Sequence, residues 1–531
     1  MKQKRFLLLS LLFLIGVTPP AFSAEIPFLV KEGQEHLDAW HIPQASEIAT
    51  RLVREHPKSA KALDLNGQVK FYQGRYAESL HFLEQALAID VTDKRRQAFR
   101  LFIQRTHDTA KTFKHFESPH FTLYLDNKKD GILVPYALDT LEKSYQAVGQ
   151  ALGYFPQEKV RVEIAPDAPS FNAISTLSLR DIEETGAVGI CKFNKIMTIS
   201  PRSLIQGYRW LDSLSHEYLH FVIVALTDNK APIWLHEGMA RFYETRWRKT
   251  KAPREKEDYL TPPNETLLAQ ASNENKFVAF KKMEPSLISL ETPEEVQLAY
   301  AEAASAIDFM IDRKGQDGIR ALLSEVGKSP TPEAIETVLG ISFDTFESQW
   351  KEYLKRKGLR EIEGSRVRKL KIKKNQQEDR ETVELKEIQS IVARNRTHLG
   401  DRLRERGKRV AAVAEYRRAL KASPHSTIVL GKLARVLIGM RKYQDALPHL
   451  KKALALNPDH VSTYIQLGRL YQARGNYSDA RDVLEEAIQI NPFDPAIYFH
   501  LHKTYVRLGK QDQAKKSRET LKWLMTHKGN R

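Results

Sequence analysis

The spacing of hydrophobic residues changes twice along this chain of 531 residues. Before about residue 110 and after about residue 393, small and apolar residues return at the spacing of a helix face. Between about residues 112 and 205, apolar and polar residues alternate in short runs. A period of about 3.6 residues predicts amphipathic helices, whereas a period of two predicts strands. The pattern therefore predicts an α+β region between two all-α regions.

The C-terminal helical pattern repeats every 34 residues. Residues of three types share this period: Pro424, Pro458 and Pro492; Ala412, Ala446, Ala480 and Ala514; Leu399, Leu433, Leu467 and Leu501. Small residues allow paired helices to approach closely, and a proline ends the second helix of a pair. The pattern resembles the tetratricopeptide repeat. It predicts four repeats, near 393–426, 427–460, 461–494 and 495–528.

The N-terminal segment follows the same period more weakly. Gly67, Gly74 and Tyr76 fall in the register of the C-terminal repeats, which predicts one repeat at 59–92 and a weaker one before it. Stacked repeats of this kind present a concave surface. We therefore expect both arrays to bind peptides or protein partners and to carry no chemistry themselves.

The central region alternates between strand and helix signals. Strands are predicted over 120–125 and 159–164, with a helix over 135–152 between them. A hairpin is predicted over 186–200, and a long helix from about residue 204 to about residue 226 follows it.

The long helix carries the sequence His216-Glu217-Tyr218-Leu219-His220. Two histidines four residues apart project from one helix face, so both imidazoles can reach a single metal ion. Glu217 is expected to face the same opening. Neutral imidazoles suit Zn²⁺, and a catalytic zinc site adds a third protein ligand and a water molecule.

A second helix is predicted to begin at Pro232 and continues Ile233-Trp234-Leu235-His236-Glu237-Gly238-Met239-Ala240. Together with the first motif, it resembles the bacterial peptidase MA-like domains of the gluzincin zinc metallopeptidases. The resemblance covers roughly residues 115–357. It implies a zincin-like α+β fold, one Zn²⁺ per chain, and Glu237 as the third ligand. His236 is the rival ligand, but adjacent helix positions face different directions.

The same resemblance implies roles for the remaining candidate residues. Glu217 would be the general base, and Tyr300, on a later helix, is the candidate second donor to the oxyanion. Packing in the core is an equal alternative for Tyr300. Glu244 lies two helical turns beyond Glu237, where it either orients a ligand histidine or forms a solvated salt bridge.

One stretch departs from the family pattern. Gluzincin aminopeptidases hold the substrate amine with a Gly-x-Met-Glu-Asn stretch, and the nearest counterpart here is Gly186-Ala187-Val188-Gly189-Ile190. The carboxylate is missing, which favours an endopeptidase. The strand over 196–199 either pairs with an extended substrate, as edge strands do, or is an ordinary strand of the sheet. Cys191, the single cysteine, excludes an intramolecular disulfide and is interpreted as a small buried residue.

The first residues predict export. Lys2, Lys4 and Arg5 precede an apolar run over 6–17, and the small-residue exit Ala21-Phe22-Ser23-Ala24 follows. This is the pattern of a cleaved signal peptide, with the bond after Ser23 or after Ala24 as the cleavage site. An exported chain without disulfides favours a bacterial periplasm or exterior.

The net charge of +17 is concentrated in one place. Residues 351–410 hold 20 basic and 10 acidic side chains, with the densest cluster over 366–374. The stretch is interpreted as a solvated linker, with contact to an anionic envelope surface as the functional alternative. Export and the lack of accompanying aromatic residues disfavour nucleic acid as a partner.

The predicted protein is an exported zinc endopeptidase that acts on peptides or proteins and is flanked by tetratricopeptide arrays. The alternative is a non-catalytic scaffold or envelope-binding protein with a degenerate peptidase domain. The predicted boundaries are 1–24 for the signal peptide, 25–110 for the N-terminal repeats, 112–357 for the peptidase domain, 358–392 for the basic linker and 393–528 for the C-terminal repeats.

Overall fold

The computed structural model describes residues 22–181, 187–248, 259–287, 290–367, 370–373 and 380–526. The chain divides into two compact units, one ending at Arg100 and one beginning at Leu101. The first 21 residues of the predicted signal peptide lie outside the described residues, as do Gly186, Arg368, Lys369 and Lys374.

The first unit is helical. Its helices are α1 (Phe22–Asp38), α2 (Ile42–Glu55), α3 (Ala60–Tyr72), α4 (Tyr76–Ile89) and the start of α5 (Lys94–Ala110). Helices α3 and α4 pair closely, since the Ser79 hydroxyl donates to the carbonyl oxygen of Gly67 at 2.6 Å. Ser59 caps α3 by accepting from the amide of Ala62, which satisfies one of the free N–H groups of its first turn.

The second unit contains a five-stranded mixed sheet in the order β1-β2-β3-β5-β4. Its strands are β1 (Lys114–Glu117), β2 (Phe121–Leu125), β3 (Val160–Ala165), β4 (Gly189–Lys192) and β5 (Lys195–Ile199). β2, β3 and β5 run parallel, whereas β1 and β4 pair antiparallel at the two edges. Phe193 and Asn194, both with φ of 58°, make the two-residue turn between β4 and β5.

This topology corrects one prediction. The strand expected to pair with a substrate, over 196–199, belongs to β5, which lies between β3 and β4 and has no open edge. On this side of the sheet, the edge strand is β4, the partner of β5 in the hairpin. Apolar and polar residues alternate only weakly in both strands of the hairpin. The sequence pattern therefore does not show which strand lies at the edge of the sheet.

Between residues 127 and 356, the described part of the second unit also holds nine helices. They are α6 (Asn127–Asp130), α7 (Val134–Leu152), α8 (Ala168–Ile174), α9 (Trp210–Thr227), α10 (Ile233–Tyr243), α11 (Pro262–Glu274), α12 (Pro293–Val326), α13 (Thr331–Leu339) and α14 (Phe343–Arg356). Helix α12 is kinked at Gly315, whose φ is 67°. A single hydrophobic core joins the sheet to these helices.

Helix α9 begins at Trp210, six residues later than the hydrophobic pattern predicts. Gly207 has φ of 77° and lies so close to the carbonyl oxygen of Ile490 that a Cβ atom would be 2.2 Å from it. The amides of Tyr208 and Trp210 donate to the carbonyl oxygens of Ile490 and Gln489. Contact with a distant segment therefore keeps residues 207–209 out of the helix.

The C-terminal part is a stack of paired helices. They are α15 (Arg380–Glu387), α16 (Ile391–Glu405), α17 (Arg409–Ala422), α18 (Thr427–Gly439), α19 (Tyr443–Leu456), α20 (Val461–Ala473), α21 (Tyr477–Ile488), α22 (Pro495–Arg507) and α23 (Gln511–Thr526). A Cβ at Gly468 of α20 would lie 2.6 Å from Leu484 of α21. Close packing of this kind is what the repeated small residues predict.

The start of α9 is bound to this stack by polar contacts. The indole N–H of Trp210 donates to the carbonyl oxygen of Ile488 at 3.0 Å. Arg209 forms ion pairs with Asp459 at 2.6 Å and with Glu486 at 3.3 Å. The helix with the two motif histidines is thus anchored at its first turn by the repeats.

The described part of the basic stretch is bound to the same region. Ile372 forms a β-bridge with Leu204, and Lys371 forms an ion pair with Glu387 at 3.3 Å. No helix among the described residues is long and apolar enough to cross a membrane. The fold combines tetratricopeptide-like helices with a mixed sheet, as the periodicity predicts.

Candidate metal centre

Helices α9 and α10 bring three predicted site residues together. Ligand atoms of His216, His220 and Glu237 all lie within 4.8 Å of one another. Glu237 Oε2 is 3.2 Å from His216 Nε2 and 3.6 Å from His220 Nε2. Within the described parts of the chain, this is the group of histidine, cysteine and carboxylate side chains placed to hold a metal ion.

The two helices are held rigidly by their burial. Helix α9 is buried along most of its length, and His216 is only 9% exposed. Gly238, directly after Glu237, packs on the backbone of α12, where a Cβ would lie 2.5 Å from the carbonyl oxygen of Ala303. Such close contacts leave the side chains of the group little freedom to move.

Glu244 fixes the orientation of His216. The two side chains are 2.9 Å apart through Nδ1 and Oε2. Because a carboxylate only accepts, His216 donates its Nδ1–H to Glu244, so Nε2 is the ring nitrogen that a metal ion in the group would meet. Arg241 forms an ion pair with Glu244 at 3.3 Å, so the carboxylate is held from both sides.

The electrostatics of the group favour a positive charge at its centre. Burial disfavours an imidazolium, but hydrogen bonds to Glu237 and Glu244 outweigh it and raise the pKa of His216 to about 10. For Glu237, burial opposes ionisation, yet His220 and His216 hold the pKa of its carboxyl well below its usual range. The buried Glu237 Oε2 faces the Nε2 atoms of His216 and His220, at 3.2 and 3.6 Å. A cation would satisfy this atom.

Glu217 lies on the other side of the motif, against the edge strand. It is 5% exposed, and a Cβ at Gly189 of β4 would be 2.5 Å from its Oε1. Burial raises the pKa of the Glu217 carboxyl, while His220 and His216 partly oppose the rise. Cys191 is half-buried on the same strand, and burial with the nearby Glu217 charge raises the pKa of its thiol.

Tyr300 lies beside the group on α12. The Arg241 guanidinium is 4.9 Å from the centre of its ring. Burial, and then the charge of Glu237, raise the pKa of the Tyr300 hydroxyl. The half-buried phenol is therefore close enough to Glu237 to respond to its charge.

His236, the rival third ligand, is adjacent to the group without belonging to it. Its ring centre is 5.5 Å from that of His220. Burial, with the charge of His220 nearby, lowers the pKa of His236 to about 3, so this imidazole stays neutral at ordinary pH.

Two neighbours of the group are absent from the sequence prediction. Arg241 precedes Glu244 by three residues on one helix, a spacing from which this contact is foreseeable, whereas its contact with Tyr300 depends on the packing of two helices. For Gly189, the sequence pattern indicates only that an amine-binding carboxylate is missing at this position. Its close approach to Glu217 depends on the β4–β5 pairing and has no local signal.

Two family models match the chain. A model of the Peptidase MA superfamily matches residues 172–356, and a tetratricopeptide repeat model matches residues 437–502. The chain thus contains a Peptidase MA superfamily domain and a tetratricopeptide repeat, which confirms these two parts of the predicted resemblance. Comparison with curated proteins finds no match.

Several solved tetratricopeptide structures resemble part of the chain. A thermophilic TPR protein of Thermus thermophilus, TTC0263, is 27% identical, with 24% of this chain and 72% of that chain covered and a TM-score of 0.24. MamA is 22% identical, with 26% and 81% covered and a TM-score of 0.25. MamA of Desulfovibrio magneticus RS-1 is 22% identical, with 26% and 77% covered and a TM-score of 0.23. At TM-scores this low, the likenesses support no functional inference.

Replacing Glu244 by alanine is expected to lower the free energy of unfolding by about 2 kcal/mol, because the substitution leaves one buried donor and one half-exposed donor without their acceptor. These donors are His216 Nδ1 and Arg241 Nη1. Urea unfolding of the two proteins measures the difference. The matched control is Glu336→Ala on α13, where the side chain is exposed. An equal effect of both substitutions would show that the Glu244 contacts are not stabilising.

Proposed function

We propose that this chain is a zinc-dependent endopeptidase that cleaves peptides or proteins. The observation that carries the proposal is the convergence of His216 Nε2, His220 Nε2 and Glu237 Oε2, with Glu217 beside them. The match of residues 172–356 to the Peptidase MA superfamily supports it, since that superfamily is commonly zinc-dependent.

The donor set fits Zn²⁺. Two imidazole nitrogens and one carboxylate oxygen are a common catalytic zinc set. Two ligands at zinc distances in a tetrahedral arrangement are about 3.4 Å apart. The separations of 3.2 and 3.6 Å around Glu237 Oε2 are close to this value. Bound zinc would lower the pKa of a water molecule and polarise the scissile carbonyl group.

The protein side chains move the protons. Glu217 takes the proton of the attacking water and passes it to the leaving amine, a task suited to a carboxyl group whose pKa is raised by burial. The Tyr300 hydroxyl, near Glu237, donates a hydrogen bond to the developing oxyanion. Arg241 positions Tyr300 through the contact with its ring.

The substrate backbone would pair with the open edge of β4. This strand lies directly above Glu217, so a peptide added to the sheet would bring its carbonyl group to the site. No carboxylate in the described part of this strand is placed to bind a free amine, since β4 has the sequence Gly-Ile-Cys-Lys. We therefore assign cleavage within chains.

The remaining parts of the proposal concern recruitment and location. The tetratricopeptide arrays would hold partner or substrate proteins, and the basic stretch over 366–374 would contact an anionic envelope surface. The pattern of residues 1–24 supports export to a bacterial periplasm or exterior. A non-catalytic scaffold is the competing function.

Glu217→Gln is expected to lower kcat by roughly 1000-fold, because the amide cannot accept the water proton. The substrates are fluorescence-quenched peptides blocked at both ends. Bound zinc, measured by elemental analysis, should remain at one ion per chain. The control is Glu336→Gln, an exposed position remote from the motif.

Three outcomes would count against parts of this proposal. Full activity of Glu217→Gln would refute the assigned base. Absence of zinc and of turnover in the unsubstituted protein would favour the scaffold. Cleavage of free-amine peptides alone would show an exopeptidase.

Gly189→Ala is expected to reduce kcat roughly 100-fold, because the new methyl group displaces the Glu217 carboxylate from its position. The melting temperature should also fall, since Glu217 is buried and its Cγ would lie 2.7 Å from the new methyl group. Gly431→Ala, which meets nothing within 4 Å, is the control. Activity kinetics and thermal melts are recorded together, and unchanged kcat with Gly189→Ala would mean that Glu217 is not positioned by β4.

Export predicts a shortened N-terminus. Edman sequencing of the protein purified from its native host should begin at Ala24 or Glu25, the residues after the two candidate bonds. An N-terminus at Met1 in the purified protein would contradict signal cleavage.

A further inference from the structure

The first helices of the last three repeats form a continuous layer. Helix α18 contacts α20, and α20 contacts α22. Each of these helices has 13 residues. In a stacked array, such a layer is one face of the superhelix and is available to a partner.

Charge is strongly segregated in this layer. None of the residues of α18, α20 and α22 is acidic, although the three helices hold five lysines and arginines. The second helix α21, in contrast, has four acidic residues, Asp479, Asp482, Glu485 and Glu486. Of the five cations, Lys432 is neutralised by a buried ion pair with Asp401 at 2.9 Å.

Three of the other cations follow the repeat period. Arg435, Arg469 and Lys503 are spaced by 34 residues, so they occupy the same position on three neighbouring helices. We call these three residues the basic ladder. Arg435 and Lys503 are exposed and Arg469 is half-buried, while the residues beside Arg435 on α18 are mostly buried. At this position of each helix, the ladder side chains therefore make up much of the surface that the layer exposes to solvent.

The ladder side chains act on one another electrostatically. Burial, and then the charge of Arg435, lower the pKa of Arg469. Burial, and then the charges of Arg469 and Lys503, lower the pKa of His500 to about 4. An anionic ligand beside Arg435, Arg469 and Lys503 would offset the repulsion between these neighbouring cations.

Other groups in the layer suit a peptide. Arg469 donates to the neutral Gln466 side chain at 2.9 Å, which orients the guanidinium without neutralising it. Phe499 is 43% exposed, and Lys503 lies 4.1 Å from the centre of its ring. An exposed aromatic surface beside cations favours a segment that carries both acidic and apolar side chains.

We propose that the basic ladder binds an extended acidic segment of a partner protein. Neighbouring packed helices are about 10 Å apart, and an extended chain rises about 3.3 Å per residue. Acidic side chains at every third position of such a segment would therefore meet successive ladder residues. The proposal deepens the recruitment part of the proposed function and does not depend on the zinc site.

Fluorescence anisotropy with the full-length Glu217→Gln protein tests the ladder without cleavage. The probe is a fluorescent peptide with glutamate at every third position and phenylalanine between. Its counterpart has lysine in place of each glutamate. The triple variant Arg435→Glu, Arg469→Glu, Lys503→Glu is compared with Arg417→Glu, Lys451→Glu, Lys452→Glu, which changes the net charge equally at exposed positions of the second helices α17 and α19.

The ladder reversal is expected to weaken binding of the acidic peptide by at least roughly 30-fold, and the control triple by less than about threefold. The neutral triple Arg435→Gln, Arg469→Gln, Lys503→Gln avoids charge reversal at the half-buried Arg469 and should also weaken binding of the acidic peptide. Circular dichroism checks that both ladder variants are folded.

Several results would overturn the proposal. They are equal loss of binding in the two charge-reversed triples, equal binding of the lysine peptide, or no binding of the acidic peptide to the parent protein. Ladder-dependent sedimentation with phosphatidylglycerol vesicles, without peptide binding, would assign the ladder to a membrane surface instead. Since none of these measurements requires turnover or zinc, they are independent of the outcome for the peptidase.

Discussion

The burial of ionisable side chains around α9 and α10 is the constraint on which the candidate site depends. A buried charge is costly unless it is paired or hydrogen-bonded. His216 meets this requirement through Glu244 at Nδ1, and Glu244 through Arg241 as well. Glu237 Oε2 depends on the imidazoles of His216 and His220, which lie 3.2 and 3.6 Å from it. The buried Glu237 carboxylate therefore needs positive charge beside it, from a protonated imidazole or from a metal ion held between the three side chains.

The second constraint is the attachment of α9 to the repeats. The indole and main-chain N–H groups of Trp210 are satisfied by the carbonyl oxygens of Ile488 and Gln489. Asp212, in the first turn of α9, is buried and pairs with Arg248, which also reaches Glu486 at 3.6 Å. A helix that carries both motif histidines is thus stabilised from one end by the array that is proposed to recruit proteins. A repeat array attached in this way is part of the scaffold of the site.

Local patterns predicted much of this arrangement. The spacing of His216 and His220 placed two imidazoles on one face, and the resemblance beyond Pro232 selected Glu237, which lies beside them. The periodicity also located the paired helices. It misplaced the start of α9, because Gly207 and Tyr208 are kept out of the helix by Ile490, a residue far away in sequence. The periodicity also indicated the wrong strand of the hairpin as the edge strand. The order of strands in a sheet depends on which strands pair, and the local spacing of residues does not determine this.

The contact between Gly238 and Ala303 couples parts of the chain that are distant in sequence. Tyr300 lies one helical turn from Ala303, and Glu237 is adjacent to Gly238, so the carboxylate and the phenol are mounted on two helices that touch backbone to backbone. Because no side chain separates the two backbones at this point, a shift of one helix moves the other. In a chimaera built from related proteins, α10 and α12 would have to be exchanged as one cassette, together with the small residues at their crossing.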